Sequence, residues 1–444
     1  MRLHIKKELI KTIKMLIEAN DTIQDNIGVI DVNYLQNLLV DCQQSAIEVG
    51  ERIEYFEGEG TITVSLLEEY CELIYQLSLV LNDTKKAKKI TKVLQNLLQR
   101  IINSLTYDLP VSKKEVVFFP YKASMWDSME SVWMAASKDP DCDVYVVPVP
   151  YFDKNADGSL GKMYYEGNKL PDYVPVTSWE EYDITQRCPD VAYIHNPYDN
   201  ANKVTSIHPD FYAKELKKYV GLLVYIPYFI TAGEVPKHFC VLPATIHADK
   251  VIVANEKEKM TYINEFKKFE EETNCVGKFG NLDEKFLALG SPKTDKVLGT
   301  TRENITVPRE WQELFFKPDG SRKTVILYNT TIQPLLYHKA VYLDKVEEVL
   351  NFFCENKDDF TLLWRPHPLM DSTISSMLPD LHERYRNMVY EYKKKGYGIF
   401  DDTADLHRAI ALSDAYYGDK GSVLVLYKET GKPCMIQNVT VKLR

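Results

Sequence analysis

The sequence predicts an α/β protein in which two Rossmann-like, doubly wound domains follow an all-α helical bundle. Three observations carry this. Apolar residues recur at helical spacing, with no strand-like run, through residue 107. From residue 115 short apolar runs alternate with helical patterns, the grammar of a parallel sheet with crossover helices. A polar stretch over 297–322, carrying Pro308, Pro318 and Gly320, then divides the alternating region in two. The expected domains are 1–107 (helical bundle), 108–300 (N-terminal Rossmann-like) and 320–444 (C-terminal Rossmann-like).

The elements follow in order. Leu9, Ile10, Ile13, Leu16 and Ile17 mark a first helix, and Asp31 is placed to cap a second. Gly58 and Gly60 break the middle. Ser65-Leu-Leu-Glu68 fits a capping box opening a third helix that runs to about Leu81, and a fourth follows Asp83. The natural assembly is a hairpin or four-helix bundle. The fourth helix is basic and amphipathic, with Lys85, Lys86, Lys88, Lys89 and Lys92 beside Ile90, Leu94 and Leu97. A bundle helix with a solvated charged face is the plainer reading and contact with anionic lipid the alternative; for residues 1–107 as a whole, partner docking, oligomerisation and lipid contact remain open.

The first α/β half offers strands at Val116–Phe119, Val144–Val149, Val191–Ile194, Gly221–Ile226, Lys250–Ala254 and Phe286–Leu289, with a helix over Trp126–Ala136. The second offers strands at Thr324–Tyr328, Phe360–Trp364, Gly398–Phe400, Ala415–Tyr417 and Cys434–Ile436. Its helices fall over Tyr337–Phe353, about 374–395, Thr403–Leu412 and Val423–Thr430. Two doubly wound domains facing a cleft resemble the GT-B glycosyltransferase architecture, which implies an acceptor domain in the first half and a nucleotide-donor domain in the second.

Composition narrows the partners. The 45% hydrophobic content of the 444 residues is that of a packed globular protein, and a net charge of -10 argues against nonspecific nucleic-acid binding. Eight cysteines are scattered without a C-x-x-C pair, which disfavours a zinc ribbon. With no signal peptide, they point to a cytoplasmic protein, and no apolar run reaches the ~20 residues that span a bilayer. Any membrane work is therefore peripheral, at a surface. No metal is expected: Asp153–Gly158 copies half a calcium loop but has Tyr164 at its twelfth position, and Asp141-Cys-Asp143 precedes its strand, away from the ligand face.

The chemistry concentrates near the C-terminus. In Tyr417-Gly-Asp-Lys-Gly-Ser422 a strand end feeds a helix start, the geometry whose free amides and dipole hold phosphate. Gly421 is expected to let the backbone approach, Ser422 to cap the helix, and Asp419 to sit in the same turn. Arg365-Pro-His-Pro368 ends another strand with a cation and a rigidly held imidazole, and Asn329-Thr-Thr331 ends a third. Arg365, His367, Asn329, Thr330, Asp419, Gly421 and Ser422 are thus candidates for one diphosphate crevice. In the preceding half, Ser124 and Asp127 follow the first strand, and His195 and His208 lie at or beyond later strand ends. His195 is the preferred general base, with Asp127 and His208 behind it.

Taken in this order, Leu289-Gly-Ser-Pro-Lys-Thr-Asp295, Arg365-Pro-His-Pro368 and Tyr417-Gly-Asp-Lys-Gly-Ser422 resemble the CDP-glycerol glycerophosphotransferases of teichoic-acid synthesis, over roughly residues 115–440. The resemblance implies a metal-free GT-B enzyme that passes glycerol phosphate from CDP-glycerol, a substrate rather than a cofactor, to a polymer or lipid-linked acceptor at the inner membrane face. Arg365 and His367 would contact the diphosphate, and Ser422 with neighbouring amides would hold its phosphates. The chain departs from the family twice. Gly421 replaces the first of two usual serines, and the family's His-Gly base is absent, the matching strand reading Val224-Tyr-Ile-Pro-Tyr-Phe229. Nor does a long helix follow the last strand before Arg444, so a truncated protein or a minimal domain is expected. The alternatives are a nucleotide-sugar glycosyltransferase, or a catalytically silent nucleotide-binding or scaffold protein of a surface-polymer pathway.

Overall fold

The computed structural model describes residues 1–231 and 233–441. Helices α1 (Leu3–Asn26), α2 (Val32–Glu57), α3 (Ile62–Leu79) and α4 (Thr84–Tyr107) form an antiparallel four-helix bundle. Ile13, Ile53, Tyr70, Leu94, Leu98 and Ile101 are among its fully buried centre. Asp31 caps α2 and Asp83 caps α4, as their spacing predicts. The third cap differs. Thr61, not Ser65, accepts from the Val64 amide at 3.3 Å. Ser65 lies inside α3 on its exposed face, because Gly60 already ends the preceding turn.

The bundle is fastened to the next domain by charge. Glu115, fully buried, accepts from Arg187 Nε and Nη2 at 2.7 and 2.8 Å, from the Tyr182 hydroxyl at 2.7 Å, and from Arg2 of α1. His4 donates to Asp190 at 2.9 Å, and Asp190 accepts the Glu115 amide at 3.0 Å. A buried carboxylate is tolerable only when paired in this way. Gly221 is required by the same contact: a Cβ there would lie 2.7 Å from the His4 ring and 2.9 Å from the Asp190 carbonyl.

The first α/β domain is built on a parallel sheet of β1 (Lys114–Phe119), β2 (Cys142–Val146), β5 (Val191–Ile194), β7 (Leu222–Tyr225), β8 (Lys250–Val253) and β9 (Phe286–Ala288). Their order is β2-β1-β5-β7-β8-β9. A small antiparallel sheet of β3 (Tyr151–Lys154), β4 (Leu160–Tyr164) and β6 (Thr205–Ile207) is inserted beside it, an element too short to stand out by periodicity. Residues Asp153–Gly158 enter the β3–β4 hairpin turn, closed by the Asn155 amide to the Ser159 carbonyl at 3.0 Å.

The second domain orders β10 (Thr324–Thr330), β11 (Phe360–Pro366), β12 (Ile399–Phe400), β13 (Ala415–Gly418) and β14 (Cys434–Ile436) as β12-β11-β10-β13-β14, again all parallel. A bundle followed by two parallel-sheet α/β domains is the predicted fold class. Three elements differ in detail. The helix expected over Tyr337–Phe353 breaks at Lys339, whose φ is 50°, and the one over 374–395 restarts at Pro379, a residue suited to a first helical position. Trp126–Ala136 divides into a 3-10 turn, Ala123–Ser128, and a helix, Glu130–Lys138. The connecting stretch is not a free linker, since Ile305, Trp311 and Phe315 pack into the second domain's core.

One buried carboxyl makes the first domain pH-sensitive. Asp199 accepts the Ala213 amide at 2.9 Å through one oxygen, while the other is buried without a partner beside a cavity of about 10 Å³. Burial pushes its pKa up to about 7. Unfolded, the same carboxyl titrates near 3.9, so the folded state binds the extra proton between these values. Stability contributed by Asp199 is full below about pH 4 and lost as pH rises through 7. Asp199→Asn, which keeps an acceptor and tolerates the φ of 47°, should remove that part of the pH slope in urea unfolding between about pH 4 and 8.

Candidate functional site

The second sheet brings the predicted phosphate-binding elements to one edge. Asn329 at the end of β10 pairs in register with Arg365 on one side and Gly418 on the other. The Arg365–Pro368 and Gly418–Ser422 segments therefore leave the sheet two strand spacings apart, about 10 Å. A cavity of about 590 Å³ opens at the carboxyl ends of β11 and β12. Arg365, His367, Arg386, Tyr390, Phe400 and Thr403 line it, and no residue of the Gly418–Ser422 turn does. The two elements share an edge of the sheet but not one pocket.

His367 is the best-placed of the predicted groups. Its backbone amide donates to the Thr330 carbonyl at 2.8 Å, and its Nδ1 accepts the Leu369 amide at 3.1 Å. Burial lowers its pKa, favouring the neutral ring. With Nδ1 an acceptor, the proton sits on Nε2, which has no hydrogen-bond partner among the described residues. His367 thus offers a donor at the cavity wall, not a base.

Arg365, the expected diphosphate cation, is already paired within the protein. Its Nη1 binds Asp401, and its Nη2 donates to the Thr403 carbonyl at 2.8 Å, so buried Asp401 balances its charge. Asn329 and Thr330 face inward. Asn329 Nδ2 donates to the Arg365 carbonyl at 2.9 Å, and Thr330 Oγ1 accepts the Trp364 indole at 3.1 Å. They hold the strand ends in register and leave no exposed group for a ligand; the Asn329 Oδ1 is buried without a hydrogen-bond partner among the described residues.

The turn after β13 is organised by Asp419. Its buried carboxylate accepts from the Thr331 amide at 2.6 Å, the Thr331 hydroxyl at 3.1 Å, the Tyr342 hydroxyl and Gln437 Nε2. Asp419 is consequently a stitch between the loops after β10 and β13. The close-approach glycine is Gly418, where a Cβ would lie 2.3 Å from the Asn329 carbonyl oxygen. Gly421 is extended (φ -171°) and has room for a Cβ, with only Thr331 at 3.5 Å. Gly421, not Ser422, occupies the helix N-cap; Ser422 is exposed in the first turn and makes no capping bond. The first amides of the helix Ser422–Glu429 still lack intrahelical partners, as at any helix start.

Across the junction, the predicted bases are occupied. His195 is wholly buried: Nε2 accepts the Tyr121 amide at 3.1 Å, and Nδ1 donates to Ser128 Oγ at 3.0 Å. Burial drives its pKa down to about 3. The one free lone pair, on Nε2, is taken by the Tyr121 amide and the Nδ1 proton by Ser128, so His195 is not the base. His208 caps a short 3-10 turn, accepting the Asp210 amide at 3.4 Å, and packs beside Trp179 and Phe152, away from β11 and β12. Ser124 is exposed in the 3-10 turn after β1.

Asp127 instead bridges the domains. Its oxygens accept from Lys293 at 2.6 Å and from His407 Nε2 at 2.9 Å. Burial pushes its pKa up, but the His407 hydrogen bond and the Lys293 charge outweigh this and hold it below the ordinary value. Lys293 belongs to the Leu289–Asp295 motif, whose Asp295 also accepts from Ser131 at 2.7 Å. His407 starts the helix Leu406–Leu412, whose last carbonyls are met by Arg302 (2.8 Å), Arg322 (3.1 Å) and Lys432 (2.9 Å), favourable charges at a helix C-terminus. Sequence reasoning missed His407 and Asp401, the latter signalled only by a carboxylate pair after a strand, Asp401-Asp402, and it quoted Lys293 within a motif without giving it a role.

No protein-family model and no curated protein matches the chain. Solved structures resemble it more widely. A UDP-GlcNAc 2-epimerase from Methanocaldococcus jannaschii is 12% identical, covering 72% of this chain and 83% of the other, with a TM-score of 0.44. The wall teichoic acid polymerase TagF is 15% identical over 79% and 78%, with a TM-score of 0.38. The catalytic domain of starch synthase IV from Arabidopsis thaliana is 12% identical over 73% and 83%, with a TM-score of 0.36. Likenesses this remote say nothing of activity, and the fold rests on the strand orders above. Among the described residues no helix is long and apolar enough to cross a membrane.

The two glycines should separate by stability. Gly418→Ala forces the strand end off Asn329 and is expected to cost at least about 2–3 kcal/mol. Gly421→Ala should stay within about 1 kcal/mol. Urea unfolding of both variants checks the contrast.

Proposed function

We propose that this chain is a transferase moving glycerol phosphate, or a related phosphoalcohol, from a CDP-activated donor to a hydroxyl of a cell-surface polymer or glycolipid. The observation that carries the reading is the cavity of about 590 Å³ at the carboxyl ends of β11 and β12, with the His367 Nε2–H unpartnered at its wall. Its volume is that of a small-molecule site, and strand carboxyl ends are where open parallel sheets bind ligands. In this reading the nucleoside lies against Tyr390 and Phe400. The diphosphate crosses the end of β10 toward the free amides at Gly421–Ser422, a span a nucleoside diphosphate can bridge.

An acceptor hydroxyl attacks the β-phosphorus in line. The new P–O bond forms as the bond to CMP breaks, the acceptor's proton passes to a base or water, and CMP leaves with the electron pair. His367 and the helix-start amides stabilise charge on the phosphate oxygens. The donor is a substrate, and the same cradle accepts a nucleotide sugar, which keeps ordinary sugar transfer as the closest variant.

One observation favours a silent, nucleotide-binding or scaffold protein instead: His195 is locked and Asp127 is held between Lys293 and His407. Thermal protection by CDP, UDP and GDP, followed by CMP release from CDP-glycerol with an acceptor panel, distinguishes the readings. Transfer requires CDP to raise Tm, His367→Ala to weaken that protection about tenfold, and CMP to appear only with acceptor. Protection by CDP without turnover selects the silent reading, and no nucleotide protection rejects both.

A further inference from the structure

The helical bundle carries two uncompensated charge sets of opposite sign. Between α2 and α3 runs a groove of about 440 Å³ rimmed by Glu51, Glu54, Glu68 and Glu72. None of these carboxylates meets a cation among the described residues; Glu72 only accepts from Gln76. The groove floor is apolar. Gly50 lies in the floor opposite Leu67, with room for a Cβ at an ordinary 3.9 Å from it. Toward the far end of the two helices the seam shows Ile47, Tyr75, Val40 and Leu79, which are 41%, 55%, 62% and 67% exposed. A row of bare apolar side chains continuing into unpaired carboxylates is a surface built to be covered.

On α4 the complement appears. Lys86 pairs with Asp83 of its own helix, but Lys85, Lys88, Lys89 and Lys92 are exposed with no carboxylate partner among the described residues, and Val93, 44% exposed, follows them. These lysines fall at i, i+3, i+4 and i+7, one stripe of a helix. We propose that the α2/α3 groove of one copy receives the lysine stripe of α4 from a second copy, with Val93 leading toward Ile47 and Tyr75. The groove cannot pair with itself, because that would set four carboxylates against four. The contact is therefore groove to stripe, made either twice across a two-fold axis or once per neighbour, head to tail in a ring or a short chain.

Sedimentation of the full-length chain tests this, across a range of concentrations at low and high ionic strength. Association is expected to grow with concentration and to weaken about tenfold or more at high salt. A groove variant (E51K, E54K, E68K, E72K) and a stripe variant (K85E, K88E, K89E, K92E) should each remain monomeric with unchanged helical circular dichroism. Mixing them should restore association, because each then holds the other's complement. A wild-type chain that is monomeric throughout overturns the proposal, as does association indifferent to both charge swaps. So does a stripe whose removal abolishes binding to phosphatidylglycerol vesicles while the wild-type chain alone stays monomeric; the lysines would then be a lipid contact.

Discussion

The carboxylate of Asp127 is the constraint on which the two-domain arrangement depends. It leaves the first sheet just after β1 and is gripped by Lys293, from the end of the same domain, and by His407, from the second. Each grip is backed by further contacts. The helix bearing His407 is fixed at its other end by Arg302, Arg322 and Lys432, and the helix bearing Lys293 is tied to the segment after β1 by Asp295 and Lys296. A partly buried ion pair at a junction still costs energy to break from one side, so these contacts favour one mutual orientation of the domains over many. They also aim the carboxyl ends of β1 and β12 at a common junction.

The same economy explains why several residues that look chemical are architectural. Asp419, Asn329, Thr330 and Arg365 lie at strand ends, where ligands bind, yet strand ends are also where backbone groups lose their ladder partners. Asp419 supplies four acceptor contacts to the loops around it, and Arg365 is neutralised by Asp401. What is left over is small and local: His367 Nε2, the cavity beside it and the exposed start of the helix at Ser422. A functional site in this fold is the remainder after the loops have satisfied themselves.

Much of the secondary structure was legible in the chain. Buried parallel strands read as short apolar runs, and every strand of the two large sheets falls on one. The caps at Asp31 and Asp83 were legible too, because a capping side chain bonds only two or three residues ahead. The third cap was misplaced since Thr61 and Ser65 both carry hydroxyls and only the chain path after Gly60 chooses between them. The small antiparallel sheet was missed because strands of three to five residues have too little periodicity to register.

The sequence by itself determined the local part of this protein: where helices start, which runs are strands, and that histidines and glycines stand at strand ends. Those properties depend on neighbours a few residues away. Tertiary structure alone decided which of these groups remain available. Asp127 meets His407 across 280 positions, His195 meets Tyr121 across 74, and Arg365 meets Asp401 across 36. Whether a side chain is a base, a clamp or a plug follows from its hydrogen-bond partners and burial, and for these residues the partners are distant in the chain.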